Sequence, residues 1–131
     1  LEYLDHLSGG KLIPREPEAR FRVLTLQATG DGILDACILQ VYEGRFRDEA
    51  KRDANWLKYQ AEKTARALAN LEADPPSAAI DVGTITIACA LGYLDLRFAG
   101  AWRADHPRLV AWLDAFAAAV PSFAATRFTP V

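Results

Sequence analysis

Apolar residues recur every three or four positions along most of the chain, and prolines and glycines separate the stretches that show this spacing. No stretch alternates apolar and polar residues as a strand would. The pattern predicts five helices: Pro17 to about Glu43, Asp53 to Glu72, Asp81 to about Phe98, Pro107 to Ala119, and a short one from Pro121. We therefore expect an all-α fold, a bundle of about five helices.

The first two predicted helices differ in how their apolar residues are arranged. The first is apolar over most of its circumference, which predicts a central position in the bundle. Its polar side carries Arg22, Thr29, Gln40 and Glu43 beside Ala36, and another side carries an apolar stripe of Phe21, Leu24, Ala28, Ile38 and Tyr42. In the second helix, positions 54, 57, 61, 65, 68 and 71 are apolar and should face the core.

Two carboxylates interrupt the apolar stripe of the first helix. Asp31 and Asp35 lie one turn apart on it, with Gly32 between them. Such carboxylates are unfavourable unless they are paired, hydrogen-bonded or facing a cleft. One interpretation is that they cap or bridge neighbouring segments, with Arg20 or Arg97 as partners. The other is that at least one faces a cleft or a partner subunit and binds a ligand cation. A glycine inside a helix also suggests close backbone packing at Gly32.

The start of the third helix carries a capping motif. Asp81 fits the N-cap position, where its carboxylate accepts hydrogen bonds from the backbone N–H groups of Gly83 and Thr84. The Thr84 hydroxyl can reach back to the backbone of Asp81, which makes a capping box with Thr where Glu or Gln is usual. A catalytic role for Asp81 is the alternative, and we favour the structural cap because the helix that follows is apolar on all sides.

Composition and charge exclude several classes of protein. The chain has 131 residues, 51% of them hydrophobic and 24% charged, which is ordinary for one globular domain. A net charge of −2 gives no broad field for nucleic acid or anionic lipid. No apolar run reaches about 18 residues, and no export signal is visible, so we expect a cytoplasmic protein without a membrane span. Cys37 and Cys89 form no disulfide framework and are expected in the core. No metal-ligand spacing or complete active site is present.

The first residues read like the end of a structural unit. The chain contains no Met, and residues 1–7 show the apolar spacing of the last turns of a helix, which Ser8-Gly9-Gly10 would end. Two prolines then exclude a helix between positions 11 and 17. We expect residues 1–16 to be the end of a preceding domain with its linker, and residues 17–131 to be the helical domain.

Several separated segments, in this order and spacing, resemble the C-terminal, all-helical domain of bacterial cytosolic glutathione S-transferases. They are Glu2-Tyr3-Leu4-Asp5 with Lys11-Leu12-Ile13-Pro14, Asp81-Val82-Gly83-Thr84 through Leu94-Asp95, His106-Pro107-Arg108-Leu109-Val110-Ala111-Trp112, and Pro121-Ser122-Phe123. The capping motif departs from the family's pattern, in which a Ser or Thr leads and an Asp follows. The same two hydrogen bonds remain possible with Asp81 leading and Thr84 following.

The resemblance implies a function that this chain would share with a second domain. The family's N-terminal thioredoxin-like domain holds the glutathione site and the Ser, Tyr or Cys that activates the thiol, so residues 1–16 would be the end of its last helix plus the linker. The fragment would contain no catalytic residue and bind no cofactor, with glutathione the co-substrate of the whole protein, a homodimer. Asp31 and Asp35 match a pattern whose second Asp reaches the glutathione ammonium across the dimer interface. Val41, Tyr42 and Arg45 are candidates for the end that faces the electrophile.

Two alternatives remain open. The same helical fold occurs in non-catalytic, transferase-like modules that bind other proteins. A glutathione-dependent isomerase or dehalogenase of the same superfamily would also fit.

Overall fold

The computed structural model describes residues 1–128, which form α-helices and short 3-10 segments without any strand. The α-helices are α1 (Glu2–Leu7), α2 (Pro17–Phe46), α3 (Ala54–Ala73), α4 (Val82–Phe98), α5 (Pro107–Ala119) and α6 (Pro121–Ala125), and the 3-10 segments are Glu49–Lys51 and Ala101–Ala104. The all-α prediction is confirmed. The last three residues of the predicted helical domain, 129–131, lie outside the described residues.

The long helix α2 begins and ends at identifiable signals. Pro17 occupies its first turn, and the Glu16 carboxylate accepts the backbone N–H groups of Glu18 and Ala19 at 2.9 and 2.7 Å. The helix runs to Phe46, three residues beyond the predicted end near Glu43. The Glu43 side chain is buried there and accepts the backbone N–H of residue 53, so it holds the turn that leads into α3.

Helix α2 packs against α3 and α4 but leaves one side exposed, so it is not the buried centre that its apolar circumference predicts; that position belongs to α4. Helix α2 approaches α4 most closely at two glycines. A Cβ atom added at Gly30 would lie 2.7 Å from Thr86 Cγ2 and 3.1 Å from the Thr86 carbonyl carbon. One added at Gly83 would lie 2.7 Å from the carbonyl oxygen of Val23. The prediction of close packing at Gly32 is wrong, because nothing lies within 4 Å of a Cβ placed there. The close approach belongs to Gly30, two residues earlier.

Some buried positions lie on sides of α2 and α3 that the sequence pattern does not assign to the core. Ala36 is fully buried although it lies on the polar side of α2. In α3 the buried side includes Gln60 and Thr64, whereas the predicted core positions 54, 61 and 65 are exposed alanines. The Thr64 hydroxyl donates to the Gln60 carbonyl at 3.3 Å, which satisfies it inside the helix. Alanine is small enough to tolerate either environment, so it indicated the wrong face of α3.

Within residues 1–128, no helix is both long enough and apolar enough to cross a lipid bilayer.

Candidate functional site

Asp81 and Thr84 form a capping box at the start of α4. The Asp81 carboxylate accepts the Thr84 backbone N–H at 2.9 Å, and the Thr84 hydroxyl oxygen accepts the Asp81 backbone N–H at 3.0 Å. The same hydroxyl lies 2.8 Å from the carbonyl oxygen of Ala79, to which it can donate. The second bond expected from Gly83 to Asp81 is not formed. This geometry supports the structural interpretation of Asp81, because its carboxylate is engaged in starting the most buried helix of the bundle.

Asp31 and Asp35 are both exposed on α2, and in the described part of the chain neither carboxylate has a hydrogen-bond or ion-pair partner. The arginines expected to bridge them are engaged elsewhere. Arg20 pairs with Glu2 at 3.0 Å, and the Arg97 guanidinium lies 5.7 Å from the centre of the Tyr93 ring. The bridging interpretation is therefore wrong within residues 1–128. The carboxylates remain available to groups outside this chain.

The two carboxylates belong to a continuous exposed surface along α2, which we call the outward face. Its exposed residues repeat at intervals of three or four: Phe21, Thr25, Ala28, Gly32, Asp35, Leu39, Tyr42 and Phe46, with Asp31 beside them. Phe21 and Phe46 at its two ends are 67% and 70% exposed. A mixed face of large apolar side chains and unpartnered carboxylates is typical of a surface that another molecule covers.

The far end of the outward face carries an aromatic and cationic cluster. The rings of Tyr42 and Phe46 meet edge to face at a centroid distance of 5.1 Å, and the Arg45 guanidinium lies 5.6 Å from the Phe46 ring centre. Val41, the remaining predicted pocket residue, is half-buried. Tyr42 is two turns beyond Asp35, about 10 Å along the helix axis. The sequence prediction missed Phe46 because it ended the helix too early, although the spacing of four from Tyr42 was a usable signal.

A second exposed aromatic pair lies on α3. Trp56 and Tyr59 stack at a centroid distance of 6.1 Å, and the Lys63 ammonium lies 5.9 Å from the Tyr59 ring centre. Their exposed fractions are 41% and 54%. The helical spacing of α3 alone predicts no site at this pair.

Two of the cavities within residues 1–128 adjoin α2, and neither is lined by Asp31, Asp35 or Tyr42. One of about 300 Å³ lies between α1, the linker and the start of α2. The other, of about 350 Å³, is a groove along the first turns of α2, lined by Phe21, Arg22, Thr25, Leu26 and Thr29. The predicted substrate-facing residues thus form an open surface, which would need a second molecule or domain to enclose a ligand.

The two cysteines differ in environment. Cys37 is fully buried, with its Sγ 3.7 Å from the Thr64 hydroxyl oxygen, and burial raises the pKa of its thiol. Cys89 is exposed, so the expectation that both lie in the core is wrong for this residue. Partial desolvation raises the pKa of the Cys89 thiol as well. A raised pKa leaves little reactive thiolate, so neither group resembles an activated nucleophile.

No protein-family model matches the chain. The chain is similar to a GST-like protein and to glutathione transferases of known structure. It is 35% identical over 116 aligned residues to the uncharacterized GST-like protein YibF of Escherichia coli (strain K12). The match covers 83% of this chain and 57% of YibF. The chain therefore spans little more than half the length of that relative.

Solved structures give the same likeness in three dimensions. A glutathione transferase family member from Pseudomonas fluorescens Pf-5, with bound S-(propanoic acid)-glutathione, is 45% identical with a TM-score of 0.90. The match covers 97% of this chain and 67% of that one. A glutathione S-transferase from Methylobacterium radiotolerans in complex with glutathione sulfonate is 31% identical with a TM-score of 0.85, over 98% of this chain and 64% of that one.

Proposed function

The chain belongs to the glutathione transferase family, and we propose that it is the C-terminal helical domain of an enzyme that conjugates glutathione to electrophiles. The observation that carries the proposal is the outward face of α2, where Asp35 has no partner in the described chain and lies among large exposed apolar groups. The glutathione-type ligands of the two similar solved structures support glutathione as the co-substrate.

A thioredoxin-like domain is the proposed neighbour of α1. The side chains of Leu1, Tyr3, Leu4 and Leu7 are between 64% and 72% exposed on this short helix. Four large exposed apolar side chains within seven consecutive positions are unfavourable in water, which supports their being covered by another domain. In this proposal residues 1–16 are the end of that domain's last helix and the linker. That domain would hold glutathione and activate its thiol.

A second copy of the protein is the proposed neighbour of the outward face. A homodimer would cover the exposed Phe21 and Leu39 and bring Asp35 toward the site of the partner subunit. The carboxylate would bind the ammonium of the γ-glutamyl group of glutathione, which carries the opposite charge. Asp31, one turn away, would add to the negative potential at that point.

The cluster at the end of α2 is the proposed wall of the electrophile pocket. Tyr42 and Phe46 offer ring faces and edges for an apolar electrophile, Val41 adds aliphatic surface, and the Arg45 guanidinium can stabilise negative charge that develops on the electrophile. The reaction would add the glutathione thiolate to an electrophilic carbon. This chain would orient the electrophile and exclude water from it.

Glutathione binding by the full-length protein tests the role of Asp35. We expect Asp35→Ala to raise the Kd for glutathione about tenfold or more, because a hydrogen bond to a charged group contributes about 1.5–3 kcal/mol. Calorimetric titration measures this directly. The matched control is Asp114→Ala, which removes an exposed carboxylate from α5 instead. Equal affinities for the wild type and Asp35→Ala would contradict the cross-subunit role.

A non-catalytic module that binds another protein is the second candidate. The exposed pair Trp56 and Tyr59 supports it, because aromatic side chains are enriched at protein interfaces. The two functions differ in one assay on the full-length protein. Conjugation of glutathione to chlorodinitrobenzene supports the enzyme. A protein that neither binds nor conjugates glutathione supports the module.

A further inference from the structure

Asp5 in α1 holds the linker through three consecutive backbone groups. Its carboxylate accepts the N–H groups of Lys11, Leu12 and Ile13 at 2.9, 2.8 and 3.1 Å. The Asp5 side chain is buried, at 7% exposure. The hydrogen bond from Leu12, with those from Lys11 and Ile13, outweighs the effect of burial and lowers the pKa of Asp5 below its ordinary value. The carboxylate is therefore ionised and fully engaged at neutral pH.

The same linker segment is fastened to α4 on its other side. The Leu12 carbonyl accepts the backbone N–H of Val82, the first residue of α4, at 3.1 Å. The Ile13 side chain is buried at 5% exposure. Residues 11–13 thus bridge α1 to the first turn of α4. Their backbone N–H groups donate to the Asp5 carboxylate of α1, and the Leu12 carbonyl accepts the backbone N–H of Val82 in α4.

Few other polar contacts within residues 1–128 fix α1 on the bundle. The ion pair between Glu2 and Arg20 spans 3.0 Å, but its side chains are 60% and 37% exposed. Exposed pairs of this kind contribute little, because solvent screens the charges and two long side chains lose freedom. The orientation of α1 therefore depends mainly on the hydrogen bonds of Asp5 with the linker.

We propose that Asp5 is a positioning residue that sets the orientation of the preceding domain relative to the outward face of α2. The inference rests on the proposed function, in which α1 ends a thioredoxin-like domain that holds glutathione while α2 supplies the electrophile pocket. Asp5 then fixes the distance between the thiol and the electrophile without touching either. Reaction rates are sensitive to such placement, since an error of about 1 Å can cost about a hundredfold.

Glu16 provides a matched control. Its carboxylate also accepts backbone N–H groups, from Glu18 and Ala19, and these hydrogen bonds also lower its pKa. Both donors belong to the start of α2 itself, so Glu16 bridges no two parts of the structure. Losing either carboxylate removes hydrogen bonds to backbone N–H groups, but only the loss of Asp5 removes those that join the side chain of α1 to residues 11–13.

The kinetic test uses Asp5→Asn in the full-length protein. The amide has the same shape but only one oxygen, so it cannot accept all three N–H groups in the observed geometry. We expect kcat for conjugation to fall about tenfold or more, because the thiol and the electrophile are no longer aligned. The KM for glutathione should rise by less than the Kd rises in Asp35→Ala, because the contacts of glutathione with its own domain are kept. Glu16→Gln should change neither constant. Asp5→Glu keeps the carboxylate on a longer side chain and should give an intermediate kcat; it replaces Asp5→Asn if that variant does not fold.

Hydrogen exchange and small-angle scattering test the same inference without activity. In Asp5→Asn the amides of residues 11–13 and 82 should exchange faster than in the wild type, and the scattering curve should change, whereas Glu16→Gln should alter neither. Unchanged exchange and scattering would overturn the role of Asp5. Faster exchange with unchanged kcat would also overturn it, because the linker would then be structural only. A wild type that neither binds nor conjugates glutathione would instead refute the proposed function.

Discussion

Gly30 and Gly32 lie two residues apart in α2, and their surroundings are opposite. Gly30 is buried against Thr86 of α4, where an added Cβ atom would meet both side chain and backbone. Gly32 lies on the outward face with open space around it. The carboxylates of the two regions differ in the same way, because Asp81 is engaged in the capping box while Asp35 has no partner in the described chain.

The difference separates what this chain needs for its own fold from what it offers to other molecules. On the packed side of α2, the glycine is required by a helix crossing, and at the start of α4 the carboxylate satisfies backbone donors. On the outward face the same residue types have no role within residues 1–128. Substitutions there should not destabilise this chain, so any loss they cause should appear in binding.

The largest difference in stability is expected between the two glycines. We expect Gly30→Ala to lower the free energy of unfolding by about 1–3 kcal/mol, because the β-branched Thr86 and its backbone cannot move aside freely. Gly32→Ala should raise it by about 0.5–1 kcal/mol, because Ala is the better helix former. Urea unfolding of this chain measures both. Equal changes in the two variants would refute the assignment of the packed side.

A smaller difference is expected between the aspartates. Asp81→Ala should lower the free energy of unfolding by about 0.5–2 kcal/mol through loss of the N-cap. Asp31→Ala on the outward face should leave it within about 0.5 kcal/mol of the wild type. Circular dichroism at 222 nm during urea unfolding provides the measurement for both variants. A cost for Asp31→Ala as large as that for Asp81→Ala would show that Asp31 has a partner in this chain.

Local signals explain why most helices were predictable from sequence. Helices α3 and α4 each begin one residue after an N-cap aspartate, Asp53 or Asp81, and α5 begins at Pro107. These residue types act within one turn of the chain, so no knowledge of tertiary structure is needed to use them. The end of α2 was predicted three residues too early, near Glu43. No local signal of this kind marks the true end, and Glu43 itself accepts a hydrogen bond from the backbone of residue 53, ten positions further along the chain.

Contacts distant in sequence were not predictable. The Glu72 carboxylate accepts the backbone N–H groups of Arg108 and Leu109, both at 2.9 Å, and so caps α5 from α3. The Arg108 guanidinium in turn donates to the carbonyls of Glu72 and Ala73, at 2.9 and 2.7 Å, at the end of α3. This reciprocal capping joins positions 36 residues apart, and nothing in either segment alone indicates the other.

The candidate site was predictable only in part, for a different reason. Helical spacing places Asp31, Asp35 and Tyr42 on one side of α2, but it cannot say whether that side is covered. The same limitation applies to Gly32 and Cys89, which spacing placed against neighbours that the described structure does not have. Which side of a nearly all-apolar helix is packed depends on the positions of the other helices, and a single helix carries little information about that.

The smallest effect expected is a pH dependence that separates engaged from unengaged carboxylates. Asp95 accepts the Trp102 indole N–H at 2.9 Å and two N–H groups of Arg103 at 2.9 and 2.6 Å. Burial alone would raise the pKa of Asp95, but the hydrogen bonds from Arg103 and Trp102 and the charge of Arg103 lower it below its ordinary value of 3.8. A carboxyl whose pKa is lower in the folded than in the unfolded chain stabilises the fold above the unfolded pKa. That contribution is lost as the pH falls through the folded pKa.

We therefore expect the difference in Tm between the wild type and Asp95→Asn to narrow as the pH falls below about 4. The matched variant on the outward face, Asp35→Asn, removes a carboxylate that has no partner within residues 1–128, so its Tm should follow that of the wild type over the same range. Thermal unfolding at a series of pH values measures both. A constant difference for Asp95→Asn would mean that its ionisation does not stabilise the fold. A difference in Tm between the wild type and Asp35→Asn that changes with pH would indicate a positive charge near Asp35. A second copy of the chain in an α2–α2 contact is one source of such a charge.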